Sequence, residues 1–256
     1  MLNYAANLSF LFPALTFPDR FTAASAAGFK ACEYLFPYDY EPDGIQGLLA
    51  KSGLKQALFN LSPGDWDAGE RGLAALPSRV QDFAASVETA LRYAEATGCQ
   101  NLHIMAGNAD PQCTASHDTY LANLTHAAAR FHDAGITALI EPINPTDMPG
   151  YFLTEVDQAL DIITTVAAPN LKLQFDCYHR AMVGKDVIAG LELAGDRIGH
   201  IQIAGAPGRN EPGTGTLDYA PIFRRLQAMG YEGWIGCEYR PAGKTVEGLA
   251  WLADHI

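Results

Sequence analysis

Eight short apolar runs of β type, each followed by a helical pattern, constrain this chain more than any other feature. They cover residues 4–10, 31–36, 56–61, 101–106, 137–143, 171–176, 198–204 and 234–239. Gly, Pro or Asn bounds them, and they are apolar on both faces, as strands covered on both sides must be. Between them, Phe83, Val87, Leu91 and Ala94 keep helical spacing, and so do Leu121, Leu124, Ala128 and Phe131. Gly28, Gly53, Gly98, Gly135 and Gly230 stand where helices should end before the next strand. Strand–helix repetition gives parallel strands joined by right-handed crossovers. Eight such units in 256 residues predict one domain, residues 1–256, closed as a (β/α)8 barrel. No GxGxxG follows the first strand, which disfavours an open dinucleotide-binding sheet.

Composition narrows the partners. A formal net charge of −12 argues against nucleic acid and anionic membrane. No run approaches the length of a membrane span, and no basic-then-apolar leader opens the chain. Five scattered cysteines, Cys32, Cys99, Cys113, Cys177 and Cys237, show no CxxC spacing. They fit a reducing cytoplasm and give no zinc signature. The expectation is a soluble cytoplasmic protein acting on a small molecule, with homo-oligomer formation left open.

Four successive strands end in an oxygen-bearing side chain: Glu141, Asp176, Gln202 and Glu238. On strands five to eight of a barrel these side chains converge at the C-terminal mouth, where such folds keep their chemistry. Oxygen donors alone suit Mg²⁺ or Mn²⁺ and disfavour Zn²⁺. Three carboxylates together would otherwise repel and take up protons. Ordinary helix-capping or ion-paired acids would not explain the shared position on four strands.

Other residues are weaker signals. His179, three residues past Asp176, could bond a substrate hydroxyl or be satisfied by backbone. His103 lies inside strand four, as core or as contact. His200 shares a strand face with Gln202 and reads as structural. His117, His126, His132 and His255 read as solvated. Two polar loops follow strands, 62–78 and 205–217, and carry Arg71 and Arg209. Either arginine could clamp a carboxylate bidentately, or pair on the surface with Glu70 or Glu211. Glu33 points to the mouth or to a basic partner, and Trp66 could form an apolar lid.

These segments resemble the hydroxypyruvate isomerase family, within the xylose-isomerase-like TIM barrels, nearly end to end. The resemblance runs through Ala6-Asn7-Leu8-Ser9, Phe36-Pro37-Tyr38-Asp39-Tyr40, Gly64-Asp65-Trp66 with Ala68-Gly69-Glu70-Arg71-Gly72, and Ile140-Glu141-Pro142-Ile143-Asn144. It continues through Asp176-Cys177-Tyr178-His179, Gln202-Ile203-Ala204, Arg209-Asn210-Glu211-Pro212-Gly213-Thr214-Gly215 and Gly236-Cys237-Glu238-Tyr239. It implies Glu141 and Glu238 as a proton-transferring pair, and Glu141, Asp176, Gln202 and Glu238 as ligands of Mg²⁺ or Mn²⁺. Ketose 3-epimerases of the group carry histidine where Gln202 stands and glutamate where Asp147 stands, which favours the isomerase branch.

The expected function is interconversion of hydroxypyruvate and tartronate semialdehyde through a metal-stabilised enediolate. One glutamate removes a proton and the other delivers one. His179, Arg209, Arg71 and His103 are the expected substrate contacts. The runner-up is the same chemistry on a 2-oxo-tetronate. Ketose 3-epimerisation and a non-catalytic sugar-acid-binding barrel are further alternatives.

Overall fold

A computed structural model describes residues 2–253. Its eight strands are β1 (Asn3–Asn7), β2 (Ala31–Tyr34), β3 (Lys55–Asn60), β4 (Asn101–His103), β5 (Thr137–Ile140), β6 (Leu171–Asp176), β7 (Ile198–Ile203) and β8 (Trp234–Cys237). All neighbours are parallel, and β8 returns to pair with β1, closing the barrel. The helices are α1 (Phe17–Ala26), α2 (Pro42–Ser52), α3 (Val80–Thr97), α4 (Thr114–Asp133), α5 (Val156–Val166), α6 (Cys177–Met182), α7 (Val187–Ala194), α8 (Tyr219–Ala228) and α9 (Ala250–Ala253). His255 lies outside the described residues. No helix among them is long and apolar enough to cross a membrane.

The expected helix faces are the ones that pack inward. Phe83, Val87 and Ala94 of α3 are buried, as are Leu124, Ala128 and Phe131 of α4; Leu91 and Leu121 lie partly buried at the edge. Each buried Val, Leu or Phe among them stabilises the fold by roughly 1.5–3 kcal/mol. α2 and α3 stop at Gly53 and Gly98, both at left-handed φ near +70°, where a Cβ would be strained.

Most strands stop sooner than their apolar runs suggest. β5 ends at Ile140 and β8 at Cys237, so Glu141 and Glu238 stand one residue past the last paired position. After Glu141 comes Pro142, which cannot donate to the ladder, and the chain turns out of the sheet there. Asp176 and Gln202 stay within β6 and β7, facing each other in register. The five cysteines are free, and all but Cys113 are buried.

Candidate active site

Glu141, Asp176 and Glu238 converge at the C-terminal mouth, each no more than 5% exposed. With His179 they offer one ligand atom apiece, all within 4.8 Å of one another. Glu141 Oε1 and Asp176 Oδ2 have no protein hydrogen-bond partner. A buried carboxylate oxygen left so is costly, and a cation would answer both. The group could therefore hold a metal ion. Burial, then the charges of Glu238 and Asp176, push the Glu141 carboxyl well above its usual range. Burial likewise pushes Asp176 up to about 6 and Glu238 up to about 8, against the opposing pull of Arg209.

A second layer of polar side chains lies under these carboxylates. Glu33, fully buried, accepts from His200 Nε2 at 2.7 Å, from Gln202 Nε2 at 2.8 Å and from Asn7 Nδ2 at 3.0 Å. Its basic partner is thus His200, and His200 has the structural role its strand position suggested. Asn7 Nδ2 also reaches Glu238 Oε1 at 3.1 Å, joining the layer to the site. Gln202 lies beside Asp176 with its amide orientation fixed: the nitrogen faces the Glu33 acceptor, and the oxygen accepts from Gln174 Nε2 at 2.6 Å. One lone pair of that oxygen is left for a cation.

Among the described residues, Arg209 is the one guanidinium ion-paired within the carboxylate cluster. Its Nη2 pairs with Glu238 Oε2 and its Nη1 with Asp147 Oδ2, and its carbon lies 5.0 Å above the Tyr178 ring and 5.1 Å from that of Phe10. Tyr178 in turn donates to Asp147 Oδ1. The surface pairing with Glu211 does not occur. Glu211 instead accepts the backbone N–H of Ala242 and packs against Gly248, holding the 205–217 loop down. Burial opposes the Arg209 charge, but Glu238, Asp176 and Asp147 outweigh it and keep the guanidinium protonated. Arg209 has φ of +54°, a left-handed conformation that is uncommon for residues other than Gly.

The cavity at this mouth has a volume of about 500 Å³. Its polar wall includes Glu141, Glu238, His103, His179, Arg209 and Arg71, and its apolar wall includes Phe10, Phe36, Trp66 and Met105. His103 Nε2 lies 3.6 Å from Glu141 Oε2, and neither ring nitrogen has a partner. Burial, then the neighbouring His200, lowers its pKa to about 3, so His103 is neutral. Arg71 does not pair with the Glu70 carboxylate, which goes to Arg79. It stacks 3.8 Å over Trp66, itself packed on Phe36, and donates to the Trp66 and Glu70 carbonyls. Trp66 is half-buried on the cavity wall, where an apolar cover was expected.

Sequence reasoning gave no role in the site to Asn7, Gln174 and Asn144, and used Asp147 only to separate the isomerase branch. Gln174 was findable, since it shares a strand face with Asp176 two residues on. The loop residues carried no periodic signal.

Residues 21–255 match the model of the xylose isomerase-like TIM barrel family. The chain belongs to that family. A 2-oxo-tetronate isomerase from Cupriavidus necator is 50% identical, over 100% of this chain and 99% of the relative. A hydroxypyruvate isomerase from Escherichia coli is 41% identical, over 98% of each. A crystal structure from Brucella melitensis, described as an AP endonuclease of family 2, superposes with a TM-score of 0.97 at 43% identity, covering 100% of this chain and 99% of that one.

Proposed function

We propose that this chain is an isomerase of short hydroxy-oxo acids that interconverts hydroxypyruvate and tartronate semialdehyde. The observation that carries the reading is Glu141 and Glu238 opening on one cavity, both buried, both with carboxyl pKa values raised by that burial, and beside the guanidinium of Arg209. Moving a carbonyl to the next carbon needs a base at the carbinol C–H and an acid at the old carbonyl carbon. Two glutamates supply both. One glutamate, as the carboxylate, takes the proton from the carbinol carbon; that electron pair forms the C=C bond of the enediolate as the carbonyl pair moves onto its oxygen. The other glutamate, as the acid, protonates the former carbonyl carbon, and the hydroxyl proton passes to the neighbouring oxygen as the new carbonyl forms. The Arg209 guanidinium, or Arg71 across the cavity, holds the substrate carboxylate. His179 and His103, both neutral, line the space for the substrate oxygens. Glu141, Asp176, Gln202 and Glu238 would hold Mg²⁺ or Mn²⁺. When bound, the ion supplies Lewis acidity toward vicinal substrate oxygens.

A second reading has a specific support. The Cupriavidus relative at 50% identity is named for a four-carbon acid, and a cavity of about 500 Å³ has room for one more carbinol. The chemistry is unchanged. Epimerisation of ketoses is disfavoured by Gln202 and Asp147, as the sequence suggested. A nucleic-acid substrate is disfavoured by the −12 charge and by a mouth whose buried arginine is already neutralised by acids. The five free cysteines support a reducing cytoplasm as the compartment.

The test is steady-state kinetics on hydroxypyruvate and 2-oxo-tetronate, with chelated enzyme and after adding Mg²⁺ or Mn²⁺. Metal-restored turnover of hydroxypyruvate is expected. A kcat/KM at least tenfold higher for the four-carbon acid would reassign the substrate. Tight binding of either acid without turnover would leave a binding barrel.

A further inference from the structure

Asn144 closes the Glu141-Pro142-Ile143-Asn144 turn and is 1% exposed, yet the chemistry above gives it no task. Its Oδ1 accepts the backbone N–H groups of Thr146 at 3.0 Å and Asp147 at 2.9 Å, an Asx turn. An amide oxygen accepts and an amide nitrogen donates, so this turn fixes which way the side chain faces. Flipping the amide would set an NH₂ group against two backbone N–H groups. Nδ2 is thereby aimed away from the turn, and it lies 2.6 Å from Nδ1 of His179. The backbone N–H of Asn144 points at the same ring nitrogen from 3.5 Å. Two donors converge on one imidazole nitrogen, which must therefore offer a lone pair.

We infer that Asn144 is a positioning residue that holds His179 as the neutral Nε2–H tautomer, so that the ring presents a hydrogen-bond donor to the carboxylate cluster. Burial, helped by the Arg209 charge and by His103, already disfavours the imidazolium. The Nε2 atom stands 3.7 Å from Asp176 Oδ2 and 3.9 Å from Glu141 Oε1, too far to bond either. Its N–H is thus available to a substrate oxygen lying between those carboxylates. A neutral donor aimed where negative charge develops stabilises it without delivering a full proton.

The same geometry sorts the four clustered side chains. A histidine that ligates a metal uses a lone pair at one nitrogen and donates from the other. In His179 the nitrogen away from the cluster faces a donor, so it cannot donate. His179 is therefore a substrate contact and not a metal ligand, although its Nε2 lies within 4.8 Å of the carboxylate ligand atoms. The role in turnover rests on the isomerase reading; the tautomer does not.

The test uses the full-length protein labelled with ¹⁵N-histidine, and long-range ¹H–¹⁵N correlation spectra with and without Mg²⁺. His179→Gln identifies the ring signals. The expected spectrum has Nε2 protonated and Nδ1 bare in both states. A parent spectrum with the proton on Nδ1 overturns the inference, whatever the enzyme turns over. Asn144→Asp keeps the oxygen that closes the turn and replaces the donor with an acceptor. In that variant Nδ1 should gain a proton. Where the proton leaves Nε2, its lone pair joins the ligands, and Zn²⁺ affinity relative to Mg²⁺ should rise at least tenfold. A folded Asn144→Asp protein with Nδ1 still bare also overturns it. If that variant does not fold, the parent spectrum alone decides.

Discussion

Nη2 of Arg209 lies 2.5 Å from Oε2 of Glu238, while its Nη1 lies 3.1 Å from Oδ2 of Asp147. The guanidinium thus bridges one acid of the proposed proton-transfer pair and one loop acid. A substrate carboxylate arriving at this cation meets it already oriented, next to the group that would move the proton.

Arg209→Lys removes that fork and leaves a point charge. KM for the acid substrate should rise, on the order of tenfold, with a smaller change in kcat, because the contact is made in ground and transition states alike. Steady-state kinetics on folded variant decides it. An unchanged KM would assign Arg209 to holding Asp147 and Glu238 only.

Glu141→Gln and Glu238→Gln keep shape and an oxygen donor but cannot take up a proton. Each should lower kcat by about 10²–10⁴, the usual scale of acid–base catalysis. The melting temperature of Glu141→Gln should not fall, since a buried carboxyl with a raised pKa is replaced by a neutral amide; that of Glu238→Gln should fall, since Arg209 loses its buried anionic partner. Near-parent kcat in either variant would remove that glutamate from the pair.

The metal-free protein should lose stability as pH rises from about 6.5 to about 8. Glu238 and Glu141 have folded pKa values raised by burial, Glu238 to about 8. They bind more protons folded than unfolded, so their contribution is complete at low pH and is lost as pH climbs through the folded pKa. Neutral His103 and His179 have lowered pKa values and act with the opposite sign, but only below about 6.5. The window above 6.5 isolates the carboxylates, and the loss there from Glu238 should be on the order of 1–2 kcal/mol, with Glu141 acting in the same direction. Thermal melts across this range measure it. Saturating Mg²⁺, which binds the ionised form, should flatten or reverse the slope. A metal-free protein whose stability climbs from 6.5 to 8 would contradict this account of the cluster.

Gly236 leaves room for the Glu33 carboxylate, and a Cβ there would overlap it. Gly236→Ala should destabilise the fold by about 1–3 kcal/mol, an overpacking cost. It should also disturb the bonds from His200, Gln202 and Asn7 that converge on Glu33. Chemical denaturation reads the first effect. Parent stability would mean that Glu33 can move aside freely.

The barrel was legible because its signal is redundant. Apolar runs, helix stripes such as Phe83, Val87 and Ala94, and the closing glycines at 53 and 98 all imply the same units. The convergence of Glu141, Asp176 and Glu238 was legible for the same reason, since strand ends in a closed barrel must meet. Strand ends were overextended at Glu141 and Glu238, because apolarity persists after hydrogen bonding stops. Pairings were far less legible. Arg209 meets Asp147 across 62 positions, and Glu33 meets His200 across 167. Only the folded geometry chooses such partners over the sequence neighbours Glu211 and Glu70. Asn144 stood in a quoted motif, but its task depends on which amide atom the turn consumes.

On the proposed function, this site shifts a proton between adjacent carbons of a short hydroxy-oxo acid. The most direct measurement is proton NMR of the Mg²⁺-loaded enzyme with hydroxypyruvate in D₂O. Tartronate semialdehyde should form with solvent deuterium at its C2, and Glu141→Gln should slow both formation and labelling by about 10²–10⁴. Product formed without any solvent deuterium would contradict transfer through a solvent-exchanging glutamate pair. No product and no labelling, with hydroxypyruvate or with 2-oxo-tetronate, would contradict the isomerase reading itself.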